Sequence, residues 1–168
     1  TFNRVLIDFG FRFMLLFLGS QLLLEFVNIV PLQAFLAESV GSILNVPVNG
    51  IYIPLNPITN FEVSAFCTGI TSAAMLGGLL FGFRVPPLRE KILYFILGGG
   101  LILLVNLFRL ILVVHIGYFT QDVGAAETAH VLTWFVMSAF VLGLWFVGMK
   151  HATKAKTGNE LAQKLVEP

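Results

Sequence analysis

The sequence predicts an all-α integral membrane protein, a bundle of four transmembrane helices with an extracytoplasmic loop cap. Of the 168 residues, 57% are hydrophobic and only 11% are charged, whereas a soluble domain needs more charge to cover its surface. Four apolar runs reach the length of about 20 residues that crosses a bilayer. Basic residues cluster in alternate connecting segments. We therefore expect membrane lipids as partners, and the net charge of +1 gives no indication of a nucleic acid partner.

The apolar runs define one predicted membrane domain. We expect residues 1–150 to form this single domain and residues 151–168 to form a polar cytoplasmic tail. Each run consists of apolar residues with few charges, and each is bounded by polar, glycine-rich or proline-rich segments. The predicted helices occupy about 11–30, 64–83, 92–115 and 129–149.

The distribution of Lys and Arg predicts the orientation of the helices. Nine of the ten basic residues lie near the start of the first helix, between the second and third helices, or after the fourth. Four spans bring these segments to one side of the membrane, and basic loops stay in the cytoplasm. Both termini are therefore predicted to be cytoplasmic. The tenth basic residue, Arg109, is not explained by topology.

The long connector after the first helix shows two local patterns. Residues from Leu32 to Leu44 are typical of a short interfacial helix. From Val46 to Pro54 apolar residues alternate around Asn49-Gly50, which predicts a β-hairpin that the prolines limit to a short ribbon. Two interpretations stay open: a cap that shapes a substrate site on the outer face, and an ordinary surface loop.

Cys67 is the single cysteine of the chain. One cysteine excludes an internal disulfide and a cysteine-rich metal site, and we expect neither a metal nor another cofactor. Its predicted place is the first turn of the second helix, where the helix dipole favours an anion. The thiolate is the reactive form of cysteine, so this position suits a nucleophile. The alternative is a small buried apolar residue, a common role of free cysteine.

Arg109 lies deep in the third apolar run. A charge inside a membrane span is costly unless it is paired or hydrated. Eighteen residues separate it from Lys91, about 27 Å of helix, which predicts a depth near the outer boundary and close to Cys67. Asn106, three residues earlier, shares its helix face and can bond to it. The alternative is an arginine whose head reaches the outer lipid headgroups.

Two further residues complete the set of candidates. His130 opens the fourth helix, and histidine is the usual general acid or base near neutral pH. It can equally be an interfacial histidine or a helix cap. Glu25 forms a polar stripe with Gln21 and Asn28 on the first helix. It can pair with Arg109 or stay protonated, and the alternative is hydrogen bonding between helices without a chemical role.

These residues occur in an order that resembles the exosortase and archaeosortase family. Members of that family are membrane enzymes with a C-[ST]-G motif after an outer loop, an N-x-x-R motif, and a histidine that opens the next helix, often followed by an aromatic residue. Many of them carry additional N-terminal helices. The matching residues here are Cys67-Thr68-Gly69, Asn106-Leu107-Phe108-Arg109, and His130 with Trp134.

The resemblance implies a thiol protease, more specifically a cysteine peptidase or transpeptidase, in the plasma membrane of a prokaryote. Its active site would face outward. Its substrates would be exported proteins whose C-terminal tail has a short motif, a membrane helix and a basic cluster. It would cleave this sorting signal at the outer membrane boundary and pass the new end to water, a lipid or a glycan.

The resemblance also implies roles for individual residues. Cys67 would be the nucleophile, Arg109 would stabilise the thiolate or the oxyanion, and His130 would transfer protons. The alternative function is that of a non-catalytic structural subunit of a larger membrane complex. The oligomeric state and the choice between a bacterial and an archaeal source stay open. The expected supporting residues are Asn106, Thr68, Gly69 and Glu25.

Overall fold

The computed structural model describes residues 2–166, and this part of the chain is mostly helical. It divides into two compact units. The first unit comprises Thr1–Phe26, Ser72–Leu101 and Ala139–Pro168, and the second comprises Val27–Thr71 and Ile102–Ser138. The single membrane domain expected over 1–150 stays a prediction. The elements are α1 Phe2–Phe26, α2 Val30–Leu44, β1 Tyr52–Pro54, β2 Asn60–Glu62, a 3-10 turn Ala65–Thr68, α3 Ile70–Gly82, α4 Leu88–Thr120, α5 Val123–Ala152 and α6 Gly158–Val166.

In the described part of the chain, three helices are long and apolar enough to cross a membrane. They are Arg4–Phe26 within α1, Leu88–Thr120 and Val123–Ala152. Large apolar side chains on them are exposed, among them Phe11 at 68% and Phe135 at 63%. Such exposure is unfavourable in water and natural in lipid. The protein is therefore a multi-pass membrane protein.

The second predicted span, residues 64–83, does not form one continuous helix. It begins with the 3-10 turn Ala65–Thr68, and Gly69 then adopts a left-handed conformation with φ +81°. The α-helix that follows, α3, has 13 residues. At 1.5 Å per residue it is about 20 Å long, which is shorter than the roughly 30 Å hydrocarbon core. The predicted number of four transmembrane helices is not confirmed for this reason.

The connector after α1 contains the predicted short helix, and it contains a hairpin that lies later in the chain than the predicted one. Helix α2, Val30–Leu44, confirms the short helix, and β1 pairs with β2 in an antiparallel hairpin. The hairpin turn differs from the prediction. Asn49 and Tyr52 form only an isolated bridge around Gly50, and the strands are joined through Asn56, whose side-chain oxygen accepts the N–H groups of Ile58 and Thr59 at 2.9 and 2.8 Å. An Asx turn thus replaces the Asn-Gly turn between the strands.

A buried apolar cluster within the second unit holds the connector against α4 and α5. Gln33 of α2, itself buried, donates a hydrogen bond to the Val63 carbonyl at 2.9 Å, just before the cysteine segment. The position of that segment therefore depends on the packing of α2. The cluster consists of Leu36, Ala37, Val40, Val46, Ile53, Leu55, Val63, Cys67, Leu110, Val114 and Ala126.

In the first unit, polar contacts lie near one end of α3. Asp8 forms ion pairs with Arg12 at 3.1 Å and Arg84 at 3.3 Å. The segment predicted as a polar tail contains helix α6, Gly158–Val166, whose Leu161 is buried. This segment is therefore partly folded, and its cytoplasmic location stays a prediction.

Candidate active site

The cysteine lies in a tight turn just before α3, and not within the α-helix. Cys67 is 2% exposed, and its backbone N–H donates to the Ser64 carbonyl at 2.9 Å. Gly69 then turns the chain with φ +81°, a conformation that side chains disfavour. A Cβ at this position would lie 3.1 Å from the Asn106 Cβ. Backbone angle and space both require glycine here, because the turn packs directly on α4.

Thr68 stabilises this turn through its hydroxyl group. The hydroxyl donates to the Ala65 carbonyl at 2.7 Å and accepts from the backbone N–H of Ile70 at 3.3 Å. It thereby satisfies one of the N–H groups at the start of α3 that have no partner within the helix. The side chain is 1% exposed. Thr68 thus shapes the turn that presents Cys67.

Asn106 connects the cysteine turn to the arginine. It is 1% exposed, and its Nδ2 donates to the Cys67 carbonyl oxygen at 2.6 Å. Its Oδ1 accepts a hydrogen bond from Arg109 Nη1 at 3.3 Å. One amide therefore uses its donor on the backbone of the nucleophile candidate and its acceptor on the guanidinium. This arrangement fixes the distance between the cysteine turn and the Arg109 head group.

Arg109 is buried, 7% exposed, and its hydrogen bonds go to side chains of two helices. Besides the bond to Asn106 on α4, Nε donates to Thr133 Oγ1 of α5 at 3.1 Å. Thr133 in turn donates to the Ala129 carbonyl at 2.7 Å, which orients its hydroxyl oxygen. A buried guanidinium held in this way does not extend into lipid or to headgroups.

The contact between Arg109 and His130 has a particular geometry. Arg109 Nη2 lies 3.3 Å from both His130 Nδ1 and His130 Nε2, and 3.4 Å from the His130 carbonyl oxygen. An atom this close to both ring nitrogens cannot lie in the ring plane without overlapping ring carbon atoms. The guanidinium nitrogen therefore lies over the face of the imidazole, a cation–π geometry. The in-plane directions of both ring nitrogens stay available for proton transfer.

The sulfur atom has its own polar neighbour. Ser64 Oγ lies 3.4 Å from Cys67 Sγ, and either atom can be the donor. The Arg109 charge also interacts electrostatically with Cys67. The imidazole of His130 packs against Phe61 of β2, with ring centroids 6.3 Å apart. The hairpin thus contributes one side of the candidate site.

Most of the predicted site residues belong to one compact unit. Cys67, Thr68, Gly69, Asn106, Arg109 and His130 all belong to the second unit. Glu25 is exposed near the end of α1 and belongs to the first unit, so its pairing with Arg109 stays a prediction. Among residues 2–166, no group of three His, Cys, Asp or Glu side chains is placed to hold a metal ion.

Two residues of the site were missed in the sequence. Thr133 follows His130 by three residues on α5, and Ser64 precedes Cys67 by three. Side chains three residues apart share a face of a helix or helical turn, so the spacing is a usable signal once the central residues are known. The site therefore combines a thiol, a fixed positive charge and an imidazole, groups that can serve as nucleophile, anion stabiliser and general acid–base in acyl transfer.

One comparison with known proteins gives a match. A family profile described as transmembrane exosortase matches residues 1–147 of the chain. No curated protein and no solved structure is significantly similar to it. The matched range contains every residue of the site described above.

Proposed function

This chain belongs to the transmembrane exosortase family, and we propose that it is a cysteine transpeptidase that cleaves C-terminal sorting signals of exported proteins. Membership of this family indicates a membrane transpeptidase in protein sorting. The proposal goes further: the reaction takes place at the outer boundary of the plasma membrane, with both termini in the cytoplasm. The new carboxyl end of the cleaved protein is transferred to an acceptor, which is water, a lipid or a glycan. The substrate tail has a short motif, a membrane helix and a basic cluster.

A continuous set of contacts, hydrogen bonds as far as Arg109 and then the stacking of its guanidinium on the imidazole, carries this proposal. It runs from the Cys67 carbonyl through Asn106 to Arg109, and from Arg109 to His130. A membrane helix has no structural need for an arginine, because burying a charge away from water is costly. The unfavourable free energy of burying Arg109 is offset here by its hydrogen bonds to Asn106 and Thr133. These two residues also contact the cysteine turn and the backbone of His130. This arrangement supports a catalytic role for all three residues.

The first half of the reaction forms a thioester. Cys67 gives its proton to His130, and the sulfur attacks the carbonyl carbon of the peptide bond just outside the substrate's membrane helix. The carbonyl oxygen becomes an oxyanion. When the C–N bond breaks, His130 returns the proton to the leaving amine. The exported protein is then bound to Cys67 through its new carboxyl end.

The second half releases the product. A hydroxyl group of the acceptor gives its proton to His130, and its oxygen attacks the thioester carbon. The C–S bond breaks, and the proton returns to the Cys67 sulfur. Water as acceptor gives hydrolysis, whereas a lipid or glycan hydroxyl gives transfer. The same imidazole serves as base and acid in both halves.

Arg109 has a donor left for the oxyanion. A guanidinium carries five N–H groups. Thr133 accepts the Nε–H, Asn106 accepts one Nη1–H, and Nη2 faces His130. Within the described part of the chain, the second Nη1–H has no acceptor. We assign this N–H to the oxyanion, where a donor already fixed in position contributes most.

A structural subunit is the second candidate function, and one observation favours it. Cys67 is almost fully buried and belongs to an apolar cluster, which also suits a residue that only packs. A packing role requires the volume of the side chain and makes no use of a thiolate. The two functions therefore differ in their response to a change that removes only the sulfur.

The test uses an exported reporter that ends in a sorting tail from the same genome. We expect Cys67→Ala and Cys67→Ser to abolish cleavage of the co-expressed reporter, while protein level and detergent-solubilised folding stay normal. Ser39→Ala is the matched control, because Ser39 lies on α2 of the same unit and bonds only to the Phe35 carbonyl in the described residues. Cleavage by Cys67→Ala at the wild-type rate would exclude the transpeptidase and favour the structural subunit.

A further inference from the structure

Ser64 is the hydroxyl-bearing residue in contact with the sulfur. Its Oγ lies 3.4 Å from Cys67 Sγ, and its carbonyl accepts the Cys67 N–H at 2.9 Å. We propose that Ser64 is a further catalytic residue, whose hydroxyl donates a hydrogen bond to the Cys67 thiolate and keeps it reactive. This inference rests on the proposed function, since it concerns the nucleophile of that reaction.

The position of Ser64 in the turn supports this role. Ser64 is the N-cap of the 3-10 turn Ala65–Thr68, and its backbone is extended with φ −72° and ψ 172°. A serine at an N-cap usually accepts a hydrogen bond from a backbone N–H of the first turn. Ser64 makes no such bond. Its hydroxyl faces the side chain of the third residue of the turn, which is Cys67. The hydroxyl group that would usually cap the turn is thus directed at the nucleophile.

The other polar groups near Cys67 have different partners. The Thr68 hydroxyl is bonded to the Ala65 carbonyl and to the Ile70 N–H. The Asn106 amide is bonded to the Cys67 carbonyl and to Arg109, so it contacts the backbone of the cysteine and not the sulfur. Ser64 thus differs from Thr68 and Asn106 in that its side chain contacts the sulfur itself.

Burial makes a donor at this place important. Cys67 is 2% exposed, so few water molecules can reach the sulfur. A thiolate in an apolar cluster lacks the hydration that stabilises it in water, and a hydrogen bond to a charged acceptor is stronger than one between neutral groups. Arg109 supplies positive charge from α4. Ser64 supplies the direct donor, and its proton stays on its own oxygen throughout.

The test measures the reactivity of the thiol itself, without a substrate. The chain has one cysteine, so iodoacetamide labels one known site in the full-length protein in detergent. Near neutral pH we expect Ser64→Ala to react about tenfold more slowly than wild type, the size of one lost hydrogen bond to a charged group. In alkaline buffer, where the thiol is ionised without help, the two rates should converge.

Three further variants make the result specific. Ser64→Thr keeps the hydroxyl and should retain most of the wild-type rate, whereas Ser39→Ala should react as wild type. Cys67→Ser defines the background. Equal neutral rates for Ser64→Ala and wild type would overturn the proposal. A deficit that persists unchanged in alkaline buffer would also overturn it, because it would show altered access to the sulfur.

Processing of the reporter separates this inference from the proposed function. We expect Ser64→Ala to lose about as much in processing rate as in alkylation rate, near tenfold. Slow alkylation combined with normal processing would overturn the catalytic role of Ser64 and leave the nucleophile in place. Processing by Cys67→Ala tests the nucleophile itself, whatever the alkylation experiment gives.

Discussion

Helix α4 carries two buried cations, and the protein holds them in different ways. Lys91 is 6% exposed and Arg109 is 7% exposed, so burial does not distinguish them. The Lys91 ammonium donates to backbone carbonyls, those of Phe83, in a short contact, and of Arg84 at 3.2 Å. The Arg109 guanidinium is bonded mainly to side chains, those of Asn106, Thr133 and His130.

The difference in partners indicates a difference in role. The carbonyls at the C-terminal end of a helix lack partners within the helix, and Lys91 supplies donors just beyond the end of α3 at Gly82. That task is structural and needs no reactive group. Arg109 instead contacts an imidazole and the amide that holds the cysteine turn. We therefore expect changes at Arg109 to affect the reaction and changes at Lys91 to affect folding.

The largest effect is expected at His130, the proton carrier next to Arg109. His130→Ala should lower the rate of reporter processing by about 10²–10⁴, the usual contribution of general acid–base catalysis. His115→Ala is the matched control, since His115 is exposed and contacts Phe119 with ring centroids 4.4 Å apart. Processing is measured per folded molecule. A wild-type rate per folded molecule for His130→Ala would show that His130 does not carry the proton.

Arg109→Lys should fail almost as badly as Arg109→Ala, with a loss of about a hundredfold. Lysine keeps a positive charge, but it lacks the planar fork that bonds Asn106, Thr133 and a substrate oxygen at once. Arg89→Lys serves as control, because Arg89 is exposed at the start of α4. If Arg109 only carried charge to headgroups, lysine would replace it well. Near-normal processing by Arg109→Lys at equal protein level would therefore contradict the assigned role.

Thr133 tests whether the orientation of the guanidinium matters. Thr133→Val preserves the shape but removes the oxygen that accepts from Arg109 Nε, and we expect processing to fall about tenfold. Thr133→Ser restores the oxygen and should recover most of the rate. Ser138→Ala controls for loss of a hydroxyl on the same helix, where Ser138 bonds only to the Trp134 carbonyl among described residues. A serine variant as poor as the valine variant would assign Thr133 to packing alone.

Lys91→Met should have the smallest effect on the reaction and a clear effect on stability. Methionine fills a similar volume, but the Phe83 and Arg84 carbonyls lose their donor. Each buried polar group without a partner costs about 1–3 kcal/mol, which thermal unfolding in detergent will show as a lower midpoint. Processing per folded molecule should stay at the wild-type level. A loss of processing at normal stability would place Lys91 with Arg109 in the reaction.

Part of this molecule follows directly from the sequence. The short helix α2 and the proximity of Asn106 to Arg109 come from local patterns that tertiary packing does not alter. The predicted hairpin around Asn49-Gly50 was wrong in its strands, because Tyr52–Pro54 pairs with Asn60–Glu62. The contact between Arg109 and His130 follows from their similar predicted depth in the membrane. Both lie towards the ends of α4 and α5 that the short connector joins. Their proximity could be predicted from the order and length of the apolar segments.

Other features depend on packing that the sequence does not display. The apolar run over 64–83 favoured one continuous helix, but the segment with Cys67 is a 3-10 turn that ends at Gly69 with φ +81°. A Cβ at Gly69 would press on Asn106 of α4, so the break depends on a contact 37 positions away in the chain. The role of Thr133 could not be predicted from the sequence, because a single threonine in an apolar helix has no distinguishing pattern.

The central claim is that Cys67 carries the exported protein as a thioester. The most direct measurement is to co-express the reporter with the wild-type enzyme, to quench the cells with acid, and to analyse the intact enzyme by mass spectrometry. We predict a covalent adduct of the reporter on Cys67 that hydroxylamine removes. Cys67→Ala provides the blank. Absence of any adduct on the wild-type enzyme, together with continued reporter cleavage by Cys67→Ala, would contradict the claim.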